Sequence, residues 1–81
     1  MSKIPRNIGA KELIRLLKNY GYHEVRQKGS HIRLESVDKK KIHKITIPEH
    51  NPIKIGTLNN ILDSVAVYLG MTKSELVQKL F

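Results

Sequence analysis

The chain contains no cysteine, which removes disulfides, thiolate zinc sites and thiol nucleophiles together. Acidic residues are also scarce, 7 against 15 Lys plus Arg, leaving +8 on 81 residues. No apolar run approaches the roughly 18 residues that cross a bilayer, so no membrane span is expected. With 3 Tyr and 1 Phe, no pair of aromatic rings stands out as a base-stacking platform. The N-terminal residues Met1 to Arg6 carry no apolar signal region, which makes the cytoplasm the default compartment.

The residues present suit one small folded domain spanning 1–81. At 40% hydrophobic and 27% charged, the composition is that of a chain with a packed core rather than a disordered one. A domain of this length has a radius of gyration of about 12 Å and encloses no deep cleft, so any active site is shallow and open. The basic excess favours polyanions: nucleic acid, an anionic surface or an acidic protein. A basic surface kept only for solubility is the plain alternative.

In 10–20, Ala10, Leu13, Ile14, Leu17 and Tyr20 recur at helical spacing, with Gly21 as the stop. Two short alternating runs follow, joined by Gly29-Ser30 as a tight hairpin. Val25 and Gln27 share one face of the first strand and Arg26 and Lys28 the other; Ile32 and Leu34 then point inward, His31 and Arg33 outward. A polar connector, 36–41, leads to a third strand with Ile45 and Ile47 inward and Lys44 and Thr46 outward. The loop "EHNPIKIG" precedes a second helix, with Thr57 as its expected cap and Leu58, Ile61, Leu62, Val65 and Leu69 as its apolar stripe. Thr72-Lys73-Ser74-Glu75 reads as a capping box opening a short last helix. The expected fold is α+β: a three-stranded antiparallel sheet covered on one face by helices. Its open face gathers Arg26, Lys28, His31, Arg33, Lys44 and Thr46.

"IPR" at 4–6, "KELIRLLKNYGY" at 11–22, "VRQKGSHIRL" at 25–34, "TIPEH" at 46–50 and "GTLNNIL" at 56–62 resemble the HicA toxin family. That resemblance implies a fold similar to double-stranded RNA-binding domains and ribosome-independent cleavage of mRNA. It implies His31, in the Gly-Ser-His segment, as the catalytic residue, and a HicB-type antitoxin as the partner. Two departures stand out: Asn7-Ile8-Gly9-Ala10 replaces a common Ser-Gly start, and the segment after Asp63 is longer than in the shortest members.

The residues suit that chemistry. Cleavage through the 2′-hydroxyl needs a base, and imidazole titrates near pH 6.5, close to working conditions. Cations must meet the charge developing at phosphorus. Arg33 and Arg26 offer fork-shaped donors and Lys28 a point charge, while Gly29 and Ser30 let backbone approach a phosphate. Lys44 extends the same basic face. His50, in the loop after the third strand, is a second candidate for acid or phosphate contact, and Lys54 stands where a helix N-terminus favours anions. Each has a plain reading as a solvated side chain, and His23 and His43 receive no role. No three residues suggest a metal site, and no cofactor is expected. A non-catalytic module binding double-stranded RNA is the alternative function.

Overall fold

Ala10, Leu13, Ile14 and Leu17 are all buried along one side of helix α1 (Ala10–Leu17), and the helix forms where their spacing places it. Its last turn tightens into a 3-10 turn (Lys18–Tyr20), which Gly21 terminates at φ 86°. A side chain added at Gly21 would lie 2.8 Å from Asp38 Cβ, so both conformation and space require glycine there. The architecture comes from a computed structural model describing residues 4–81; residues 1–3, part of the stretch considered above for a signal segment, lie outside the described residues.

Strands β1 (Tyr22–Lys28), β2 (His31–Ser36) and β3 (His43–Pro48) form one antiparallel sheet in that order. In β2, Ile32, Leu34 and Ser36 are buried while His31 and Arg33 are exposed, the signature of a sheet covered on one face. Gly29, at φ 59°, begins a two-residue turn in which Ser30 keeps negative φ, the pattern of a type II′ hairpin.

The β1–β2 register shifts between Glu24 and Arg26, leaving Val25 as an unpaired bulge residue that is 42% exposed. Tyr22 before it pairs with buried Ser36, and Gln27 after it pairs with buried Ile32. Arg26 and Lys28 therefore pair with exposed Arg33 and His31 on the open face. The expected faces of Arg26 and Lys28 hold. Val25, however, belongs to an irregularity that plain alternation did not reveal.

Helix α2 (Ile55–Leu69) starts earlier than the sequence suggests, with Lys54 as its cap residue and Gly56 inside it. Thr57 is thus in the first turn and not the cap. Buried Ile53 explains the earlier start: its N–H donates to Ile8 O at 2.8 Å and fixes the chain just before the helix. In helix α3 (Lys73–Leu80), Thr72 Oγ1 accepts from the Glu75 N–H, and Glu75 Oε1 from the Thr72 N–H, each at 3.0 Å. The Thr72 backbone N–H, and after it the Thr72 hydroxyl, hold the Glu75 carboxyl below its usual range. Leu76, Val77 and Leu80 complete the core, whereas Phe81 remains 41% exposed. Lys73 reaches back to Asn59 and, at 3.4 Å, to Asp63, tying α3 to α2.

A polar aromatic cluster closes one end of the sheet. His43 Nδ1 is 2.6 Å from the Tyr22 hydroxyl, and its Nε2 is 2.9 Å from Ser64 Oγ. Its ring stacks on Tyr68 at 4.7 Å and meets Tyr22 edge-on. A histidine with no assigned role in the sequence therefore ties β3 to β1 and α2.

Burial lowers the His43 imidazole below its usual range, so the folded chain takes up this proton less readily than the unfolded one. The stabilising effect is complete above the unfolded value of about 6.5 and is lost as pH falls toward the depressed folded value. Urea midpoints at about pH 7.5 and about pH 5.5 test this linkage. The wild-type midpoint should drop more over that interval than that of His43→Gln, and equal drops would refute it.

Candidate active site on the open sheet face

The hairpin pairs Lys28 with His31 and Arg26 with Arg33, and β3 adds Pro48 and Thr46 to the same two rows. Directly opposed side chains in such rows have Cβ atoms about 4.5–5.5 Å apart. Arg26, Lys28, His31, Arg33 and Thr46 together line one shallow recess on the uncovered face. The molecule measures 35 × 32 × 18 Å with a radius of gyration of 11.8 Å, and the recess is open because its lining residues are all on the exposed face of the sheet.

Three features hold the turn that presents His31. Gly29 supplies the positive φ, and a Cβ there would meet nothing within 4 Å, so the turn backbone is approachable. The Glu49 N–H donates to Ser30 O at 2.6 Å, extending the β2–β3 ladder past the strand end. Gln27 Nε2 donates to Gly29 O at 3.0 Å and to Glu49 Oε1 at 2.8 Å, bridging the turn to the loop after β3. Gln27 and Glu49 were not candidates in the sequence reading. The two are 22 positions apart, and only the pairing of all three strands brings them together.

Electrostatically the recess is cationic and uncompensated. Among the described residues the structure records one ion pair, Lys73–Asp63, and it is on the helical side. Arg26, Lys28 and Arg33 thus have their donors available to an incoming anion. Lys44 is exposed one row further along, opposite Glu35.

The other candidates lie elsewhere. His50 lines a separate recess with Gly9, Ala10, Lys11, Glu12, Glu49 and Asn51, and its carbonyl accepts the Ala10 N–H at 3.0 Å. Lys54 caps the N-terminus of α2 without a side-chain capping bond. Neither lines the recess of His31. Among the described residues no three His, Asp or Glu side chains are placed to share a metal ion. No described helix is long and apolar enough to cross a membrane.

No curated protein and no solved structure matches the chain. The family model described as the HicA toxin of bacterial toxin-antitoxin matches residues 10–66, from the start of α1 through the hairpin and well into α2. That span is more than half of the sequence and contains every residue of the His31 recess. The chain belongs to the HicA toxin family of bacterial toxin–antitoxin systems.

Proposed function

We propose that this toxin is an endoribonuclease that cuts mRNA without the ribosome and without a metal ion, with His31 as its general base. The carrying observation is the convergence of His31 with Arg26, Lys28 and Arg33 in one open recess. His31 takes the proton of a ribose 2′-hydroxyl, whose oxygen attacks the adjacent phosphorus. The bond from phosphorus to the 5′-oxygen breaks, leaving a 2′,3′-cyclic phosphate on one fragment. The departing 5′-oxygen receives a proton from water at the open face. Arg26, Lys28 and Arg33 meet the negative charge that builds on the phosphoryl oxygens, the role a metal fills elsewhere. Gly29 and Ser30 admit the sugar–phosphate backbone, and Lys44 extends the contact. His50 and Lys54 bind flanking phosphate from the helical side.

The domain acts as a unit of 1–81 in the cytoplasm, where mRNA is available. A HicB-type antitoxin restrains it by covering the cationic face.

Purified protein incubated with end-labelled RNA tests the reading. Cleavage should persist in excess chelator and leave cyclic-phosphate and 5′-hydroxyl ends. Binding to RNA without cleavage under any condition would favour a non-catalytic double-stranded RNA-binding module. Cleavage abolished by chelator would remove the metal-free mechanism.

A further inference from the structure

We propose that the connector lysines Lys39, Lys40 and Lys41 form a second phosphate-contact site, holding the flank of an RNA whose scissile bond lies at His31. This inference rests on the nuclease reading above and adds a remote subsite to it.

The connector between β2 and β3 is exposed throughout 37–42, yet its backbone is moored. The Tyr68 hydroxyl, projecting from α2, donates to Lys41 O at 2.6 Å and accepts the Lys39 N–H at 2.9 Å. It also lies 3.3 Å from Ser36 O, while the Asp38 N–H donates to Ser36 Oγ at 3.3 Å. Tyr68 is itself fixed by stacking on His43. A loop kept only for solubility needs no such anchor. Here the backbone is fixed on both sides of Lys40, so binding an anion costs the lysines little further backbone ordering.

The lysines also stand, exposed, beyond the end of the sheet toward which the cationic rows run. From the hairpin, the rows run Lys28 with His31, Arg26 with Arg33, then Lys44, before the strands end at the connector. The six residues of β2 span about 20 Å at about 3.3 Å each. Glu35 and Asp38 are the acidic residues along this path, and neither is ion-paired among the described residues. A compact anion fits only one end of such a track. A chain of phosphates fits its whole length: at about 3.4 Å per stacked nucleotide, about 20 Å corresponds to about six nucleotides.

The test is the triple variant Lys39→Gln/Lys40→Gln/Lys41→Gln in the full chain, compared on RNAs of about 4 and about 20 nucleotides. On the long RNA, KM should rise about tenfold with kcat unchanged, and the log–log salt dependence of binding should flatten by about 2. The short RNA should be unaffected, and Tyr68→Phe should raise KM on the long RNA by a smaller factor. Unchanged KM and salt dependence on the long RNA would overturn the proposal. So would equal weakening on both lengths, which signals diffuse attraction, or loss of binding to the antitoxin with RNA affinity intact. Repeating the binding series in a His31→Ala background separates the two readings. That series measures the remote contact even if the wild-type protein proves not to cut RNA.

Discussion

His31→Ala is expected to slow RNA cleavage by about 10²–10⁴-fold, the range general-base catalysis supplies. Binding should change little, because Arg26, Lys28 and Arg33 keep their positions on the sheet. The fold should survive as well. The His31 side chain is exposed, so its removal opens no cavity, and surface changes of this kind cost about 0.5 kcal/mol or less. Initial rates at saturating RNA, fluorescence anisotropy and a thermal melt separate these effects. A variant that still cuts at the wild-type rate would remove His31 from the mechanism. A variant that loses binding and melting temperature together would show that the ring had a structural task.

Leu34→Ala should produce the opposite pattern: loss of stability, and loss of toxicity only as its consequence. Leu34 is fully buried on β2, between the open-face residues Arg33 and Glu35, and pairs with Glu24 and Ile45. Truncating a core leucine costs about 2–5 kcal/mol, since the neighbours collapse only partly into the space. Domains of this size have about 4–12 kcal/mol in total, at about 0.05–0.15 kcal/mol per residue. The variant should therefore lose between about a sixth and all of its stability in urea titration, while Leu34→Met, close in volume, loses about 1.5 kcal/mol or less. A shift below about 1 kcal/mol for the alanine variant would mean that the covered face is packed more loosely than its burial implies.

The parts of this molecule legible in the sequence are those set by local periodicity. The apolar stripe of α1, the Gly29-Ser30 turn, the alternation of β2 and the Thr72–Glu75 box each depend on residues within about one or two turns of each other. The cationic face followed from the same alternation, because Arg33 and His31 must point away from buried Leu34 and Ile32. What could not be read was set by contacts distant along the chain. His43 gained its place from Tyr22, Ser64 and Tyr68, which only the folded chain assembles. The start of α2 depended on the bond from the Ile53 N–H to Ile8 O rather than on the best capping side chain nearby. His50 closely follows β3 in the sequence, yet it lines a recess separate from that of His31. The chain instead turns toward α1 and uses the His50 carbonyl to accept the first helical N–H.

The bulge at Val25 makes the chemistry depend on parity. Counting strictly by twos from buried Tyr22 would send Arg26 and Lys28 under the helices and Gln27 out to solvent; one supernumerary residue resets the count. Loss of that single codon would force a choice between keeping the tyrosine anchor and keeping the charges on the open face. Which face each side chain of this strand takes is thus set by its length as much as by residue identity.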